Sequence, residues 1–221
     1  MTEENNVKKY YKRLRDFFIN NIKSIIIIFG VIFVILISLQ IYNYVALNDL
    51  KKTSVKFFNS IEVGEEVNEA LYKLKDKKNI FSILSSLKLI QIYNKENSFT
   101  LSTELYKDII LSNEIDELYK SSIATHASYT LINASYLENT LKYFNDINYF
   151  IENISDNIES FFSIKKELKY LLLVTEIDLN NLKYSNSQET IEMFNDINNS
   201  NKISSSVKER VKKIHDFQIY K

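Results

Sequence analysis

The chain contains no proline, no cysteine and no tryptophan, and only two glycines among its 221 residues. Without cysteine it has no disulfide framework, no thiolate zinc site and no cysteine nucleophile. Sheets and tight hairpins depend on glycine and proline at their turns, so this scarcity favours helices joined by Asn, Ser and Asp. The formal net charge of +0 offers no electrostatic basis for binding nucleic acid. The absences together predict an all-α protein that folds by packing alone.

A long apolar run is present at residues 22–45, close to the N-terminus. A helix needs roughly 20 mostly apolar residues to cross the hydrocarbon core of a bilayer. The nearest charges are Lys23, which can reach the headgroups, and Asp49. Tyr42 and Tyr44 stand where an aromatic belt is expected. The run therefore predicts one transmembrane helix.

The charges beside this run predict its orientation. Basic residues before it are Lys8, Lys9, Lys12, Arg13, Arg15 and Lys23, and those shortly after it are Lys51, Lys52 and Lys56. The positive-inside rule therefore favours a basic cytoplasmic tail at residues 1–21. A cleavable signal peptide is the alternative, but the apolar run is long and no small-x-small cleavage site follows it. We expect an uncleaved signal anchor with its N-terminus in the cytoplasm.

The remainder of the chain keeps the helical period. Residues 46–64 are expected to continue the membrane helix as a juxtamembrane helix that stops at Gly64, and residues 65–221 to form an α-helical domain. The predicted helices cover 46–62, 65–78, 80–94, 98–112, 114–136, 138–152, 157–182, 186–198 and 203–219. Capping boxes are predicted at Asp156-x-x-Glu159 and Ser185-x-x-Gln188. Three alanines of the 114–136 helix would let a neighbour approach closely: Ala124, Ala127 and Ala134.

One short pattern recurs three times within the predicted helical domain. It is a small hydroxyl residue, three residues, an aromatic, one residue and then Asp-Ile, as in Ser102/Tyr106, Thr140/Phe144 and Thr190/Phe194. Each copy falls in a short helix preceded by a longer one, which is typical of stacked helix pairs. Tetratricopeptide repeats place a small and an aromatic residue at this spacing, with a shorter period of roughly 34 residues. Chance recurrence among amphipathic helices of biased composition is the alternative.

This organisation resembles the YfgM-type family of ancillary subunits of the SecYEG translocon. The likeness lies in the basic tail, the span with Tyr42 and Tyr44 at its exit, and the degenerate tetratricopeptide-like pattern. The chain departs from that family in having Ser, Thr or Asn where Ala and Gly are usual. The resemblance implies a non-enzymatic protein of the bacterial inner membrane with a periplasmic helical domain. Its implied partners are translocon subunits and periplasmic chaperones.

The histidines and glycines offer little chemistry. His126 stands among small residues, where a half-buried, hydrogen-bonded imidazole or a groove-lining residue is favoured over a ligand. His215 lies near the C-terminal end of a predicted helix, where a cation is favourable. No pair of histidines has metal-ligand spacing, and the glycines, Gly30 and Gly64, form no phosphate loop. We therefore predict no metal site and no cofactor.

Acidic pairs are the remaining candidates for catalysis. Glu65/Glu66 and Asp116/Glu117 are more economically interpreted as solvated helix faces than as catalytic dyads. No serine stands beside a recognisable base. An enzyme is therefore not expected.

A groove lined by the first helix of each pair is the predicted binding surface. Those helices are 80–94, 114–136 and 157–182. Tyrosine combines rigid apolar area with a polar tip, which suits peptide recognition. The candidate groove-lining residues are Tyr93, Tyr119, His126, Tyr129, Tyr136 and Tyr170, and packing between helices is the alternative role for these tyrosines.

Two functional hypotheses follow. The first is an anchored, non-enzymatic protein–protein interaction module, an accessory of the Sec translocon and periplasmic chaperone network. The second is a self-associating structural spacer in an envelope or cell-division assembly, which would form a homo-oligomer. Apart from an isolated Gly30, the span has no small-xxx-small motif, and this slightly disfavours the second hypothesis.

Overall fold

A computed structural model describes residues 2–62, 67–77 and 79–221 of the chain. Every regular element in those residues is a helix, so the predicted all-α class is confirmed there. The α-helices are α1 (Thr2–Glu62), α2 (Val67–Lys75), α3 (Ile80–Lys95), α4 (Phe99–Leu111), α5 (Glu117–Glu138), α6 (Phe144–Glu152), α7 (Glu159–Leu179), α8 (Gln188–Asn199) and α9 (Ser205–Tyr220), with a 3₁₀ turn at Tyr184–Asn186. The chain divides into two compact units, the first ending at Val55 and the second running from Lys56 to Lys221.

Helix α1 is continuous over 61 residues, about 90 Å at 1.5 Å per residue. Its segment Ile19–Ile61 is long and apolar enough to cross a membrane, with a peak mean hydropathy of 2.9. All side chains from Ile26 to Val45 are exposed. The predicted junction of span and juxtamembrane helix is therefore unbroken helix, whereas the predicted stop at Gly64 lies outside the described residues.

The second unit is a series of packed helix pairs. Long helices α3, α5 and α7 are each followed by a shorter one, α4, α6 and α8, as the sequence pattern predicted. Each short helix packs on the long helix before it and on the next helix in the chain, while α5 also packs on α7, and α7 on α9. Ala124, Ala127 and Ala134 of α5 are fully buried, as expected for close helix approach. The largest core cluster extends from Phe57 to Leu172, and a smaller one joins α7, α8, α9 and the 3₁₀ turn.

Asparagine ends the long helices in place of glycine. Asn97, Asn139 and Asn181 follow α3, α5 and α7 at equal intervals along the chain, with φ of 55°, 50° and 54°. After each, the next residue donates its backbone N–H to a carbonyl five residues earlier, at 2.8–2.9 Å. This bond belongs to the Schellman cap, and asparagine tolerates the left-handed backbone that the cap requires. A chain with almost no glycine thus still ends its helices sharply.

Both predicted capping boxes are wrong. Helix α7 begins at Glu159 after Ile158, and the carboxylate of Asp156 instead accepts from Lys165 Nζ at 2.9 Å. Helix α8 begins at Gln188, because the residues around Ser185 form the 3₁₀ turn. A tertiary contact thus replaces the cap at Asp156, and a local 3₁₀ turn replaces it at Ser185.

The recurring pattern is only partly equivalent in three dimensions. Ser102 and Thr190 are fully buried inside α4 and α8, but Thr140 lies in the turn before α6 and is half-buried. The aromatic side chains also differ, since Tyr106 is buried whereas Phe144 and Phe194 are half-buried. The isoleucines that close the pattern are buried in every copy: Ile109, Ile147 and Ile197.

Candidate functional site

An open groove lies between α3 and α5, with α4 at its floor; we call it the α3–α5 groove. Its volume is about 820 Å³. Helix α5 packs closely on α7 but not on α3. A gap therefore remains between α3 and α5. Its lining residues are Phe57, Leu84, Leu87, Lys88, Ile90, Gln91, Asn94, Lys95, Tyr106, Tyr119, Ser122, Ile123 and His126.

One stripe of each long helix forms a wall of this groove. On α3 the stripe begins at Leu84 and ends at Lys95, over about 16 Å of helix. On α5 it runs from Tyr119 to His126 through positions i+3 and i+4. Leu84 and Tyr119 are exposed at 37% and 60%. The walls therefore offer apolar surface to water along two facing helices.

A hydrogen-bonded chain crosses the floor of the groove. Asn94 Nδ2 donates to Tyr106 Oη at 3.3 Å, and Tyr106 Oη lies 2.6 Å from His126 Nδ1. A phenol oxygen can donate and accept at once, so Oη can bond to Nδ1 of a neutral imidazole in either tautomer. Partial burial lowers the pKa of His126, which favours this neutral imidazole, and burial raises the pKa of Tyr106. The hydrogen-bonded chain ends at an exposed imidazole, whose Nε2 donates or accepts according to the tautomer.

The charged residues lining the groove are all cationic. Lys88 is half-buried and its Nζ donates to Gln91 Oε1 at 2.9 Å, while Lys95 is exposed. Within the described residues, no carboxylate forms an ion pair with either lysine, and none lines the groove. The groove therefore combines apolar walls with unneutralised positive charge.

The structure brings two of the predicted residues into this groove, Tyr119 and His126. Tyr93 does not line it, because its half-buried side chain packs against the main core cluster. Tyr106 and Asn94 were missed by the sequence analysis. The signal for Tyr106 was present in the recurring aromatic of the short helix, but it had been assigned to packing between helices.

The remaining predicted groove residues have structural roles. Tyr170 is wholly buried and its hydroxyl lies 2.9 Å from that of Tyr184, so its assignment to a groove is wrong. Tyr129 packs against the main core cluster, and burial together with the Glu167 carboxylate raises its pKa to about 12. Tyr136 donates to Asp178 at 3.0 Å, and burial raises its pKa to about 12.

A second cavity, of about 690 Å³, lies where α7, α9 and the 3₁₀ turn meet. His215 borders it, with Nδ1 2.7 Å from Tyr184 Oη and its ring stacked 3.6 Å from that of Phe194. Burial lowers the pKa of His215, which disfavours the cation that the macrodipole at this helix end would favour. Asp178, also at this cavity, accepts from Gln218 and Lys221 and is therefore already neutralised.

The acidic pairs are used in capping and packing where they are described. Asp116 is exposed and caps α5 by accepting from the backbone N–H of Tyr119 at 3.1 Å. Glu117 accepts a hydrogen bond from the hydroxyl of Ser155. Glu65 and Glu66 lie outside the described residues. Within the part of the chain that is described, no cluster of three or more His, Asp or Glu side chains is arranged to hold a metal ion.

Comparison with known proteins returned no match: neither a family model, nor a curated protein, nor a solved structure is similar to this chain.

Proposed function

We propose that this protein is a membrane-anchored, non-enzymatic protein–protein interaction module. The observation that carries the proposal is the α3–α5 groove, whose apolar walls remain uncovered in an otherwise well-packed helical unit. Uncovered apolar surface of this kind marks binding sites, because burying it on a partner is favourable. The exposed apolar run of α1 supplies the anchor in the same chain.

The helical unit fits a degenerate tetratricopeptide-like arrangement. Support comes from the alternation of long and short helices and from the packing of α5 on α7 and α7 on α9. A left-handed asparagine also recurs at equal intervals after the long helices. This repeat of backbone conformation is support that is independent of the recurring side-chain pattern. Stacked helix pairs of this type bind proteins through the surface of their first helices.

The proposed location is the bacterial inner membrane, with one span, a cytoplasmic N-terminus and a periplasmic helical unit. The charge asymmetry around the apolar run supports this orientation. Because the chain has no cysteine, single-cysteine variants report topology directly. In intact spheroplasts a membrane-impermeant maleimide is expected to label Ser206→Cys and to leave Asn6→Cys unlabelled until the cells are lysed. The reverse labelling would contradict this orientation.

The proposed partners are translocon subunits or periplasmic chaperones, and this part rests on the resemblance to YfgM-type proteins. The test is solubilisation of the tagged full-length protein from its native membrane in mild detergent, followed by identification of the proteins that co-purify. The control is residues 1–62 alone, which retain the anchor without the groove. Enrichment of translocon subunits or a chaperone over that control would support the proposal.

Recovery of the protein only with itself would instead support the spacer hypothesis. If residues 1–62 recovered translocon subunits equally well, the anchor would be the part that binds them. The helical unit would then have no role in that interaction.

A further inference from the structure

We infer that the α3–α5 groove binds an acidic segment of a partner protein that also carries apolar side chains. The inference rests on the proposed function and specifies the chemistry of the partner. It is drawn from the charge and hydrogen-bonding character of the groove, together with the shape of its walls.

The first argument is charge complementarity. Lys88 and Lys95 lie one above the other on the α3 wall, seven residues and about two helical turns apart. Neither is paired with a described carboxylate, in contrast to Lys107, whose Nζ bonds to Asp146. Carboxylates of an incoming segment would supply the missing negative charge at this rim.

The second argument is the polarity of the hydrogen-bonding groups. Lys88 and Lys95 place ammonium groups on the α3 wall, and an ammonium group donates hydrogen bonds but cannot accept them. The amide oxygen of Gln91 is already occupied by Lys88. The charged groups of the groove are therefore donors only, and they match a carboxylate, which is an acceptor only.

The third argument is the apolar surface between these donors. Leu84 is exposed in the groove, and Leu87 and Ile123 beside it are only partly buried against the core. Helix α3 does not pack closely on α5 as α7 does. A purely acidic segment would leave this apolar surface exposed to water. A segment with both acidic and large apolar residues would satisfy the two walls together, the apolar side chains giving affinity and the charges giving orientation.

The test is an unbiased peptide-display selection against the full-length protein in lipid nanodiscs, followed by affinity measurement of the selected peptides by fluorescence anisotropy. The selected peptides are expected to be enriched in Asp and Glu together with Leu, Ile or Phe. In Lys88→Glu/Lys95→Glu, their affinity is expected to fall at least about tenfold, and a new selection should favour basic peptides. In Leu84→Ser, affinity should fall without any change in charge preference.

Two controls separate this effect from overall charge and from misfolding. Lys202→Glu/Lys212→Glu makes the same change of net charge at exposed positions outside the groove, and it should leave the affinity of the acidic peptides unaltered. Lys88→Gln/Lys95→Gln removes the charge with little change of volume and should give an intermediate loss.

The outcomes distinguish the inference from the function on which it rests. Peptides that bind without acidic enrichment, or equally well to the charge-reversed groove, would overturn the inference and leave an interaction module in place. Groove-dependent self-association of the full chain would identify a second copy as the occupant and would also overturn it. Failure to bind any peptide, with no protein co-purifying from the membrane, would reject both.

Discussion

Glu167 is the most buried carboxylate among the ion pairs of the described residues, and its ion-pair partner is Arg210. Its side chain on α7 is 3% exposed, and Arg210 of α9 donates to it from both Nε and a terminal nitrogen, the former at 2.6 Å. A bidentate arginine is well suited to a buried carboxylate, because it satisfies both oxygens in one plane. This pair therefore attaches α9 to α7 and favours one packing of the two helices.

Arg210→Ala is expected to destabilise the helical unit by about 2–4 kcal/mol, because it leaves a buried carboxylate without its partner. The measurement is urea unfolding of the full-length protein in detergent, followed by far-UV circular dichroism. Lys213→Ala removes an exposed partner of Glu209 on the same helix and should barely move the midpoint. Equal loss in the two variants would contradict a special role for Arg210.

The two histidines predict a loss of stability in mild acid. Burial lowers the pKa of both His126 and His215 below the ordinary value of 6.5. The unfolded chain therefore takes up protons first as the pH falls through about 6.5, and the free energy of unfolding decreases until the folded-state pKa values are passed. We expect lower urea midpoints at pH 5.5 than at pH 7.5. In His126→Gln/His215→Gln this difference should shrink, and an unchanged difference would refute the assignment.

At the scale of the element, the way in which the long helices end is the most instructive feature. A left-handed residue is needed after α3, α5 and α7, and the chain uses asparagine at each. The neighbouring ends of α4, α6 and α8 do not use it, as Asn153 after α6 has φ of −82°. Asparagine is therefore left-handed at the ends of the long helices but has an ordinary negative φ after α6.

Asn139→Ala is expected to cost about 1 kcal/mol, because alanine resists the left-handed conformation, whereas Asn139→Gly should be close to neutral. At Asn153 the order of the substitutions should reverse, since glycine there gains nothing and adds chain entropy to the unfolded state. Urea unfolding of the four variants checks this, and alanine tolerated at position 139 would show that the cap is not required.

At the scale of the whole molecule, one helix carries both an exposed apolar run and the start of the packed unit. α1 passes without interruption from exposed apolar residues to Phe57, which belongs to the core. In water the run from Ile26 to Val45 would expose large apolar side chains on every face. Lipid removes that cost, because the surrounding solvent is then as apolar as the side chains.

Ile32→Arg/Leu36→Asp is therefore expected to impair membrane insertion, since each charge near the centre of a span costs about 2.5–3.5 kcal/mol on insertion scales. The full-length protein should resist alkaline carbonate extraction from membranes, and the variant should be extracted or degraded. Ser54→Arg/Ser60→Asp adds the same charges to α1 outside the apolar run and should remain membrane-bound. A wild-type chain released by carbonate would contradict the anchor.

Helix identity and approximate bounds were largely predictable, because they depend on local periodicity. The predicted 80–94 and 98–112 helices became Ile80–Lys95 and Phe99–Leu111, with their ends set by nearby asparagine and serine. The two capping boxes failed because a carboxylate and a hydroxyl that fit a local cap were used in longer-range contacts and a 3₁₀ turn. Of the candidate groove residues, Tyr119 and His126 line the α3–α5 groove, whereas Tyr170 is fully buried with its hydroxyl beside that of Tyr184.

The sequence by itself determined the helical class, the apolar run and the chemistry that is missing, because these follow from composition and from the period of apolar residues. Only the tertiary structure decided which surface remains open. That depends on α5 packing closely against α7 but not against α3, and on bringing Asn94, Tyr106 and His126 together from three helices. Such distances are set by how whole helices pack, and no local window of sequence contains them.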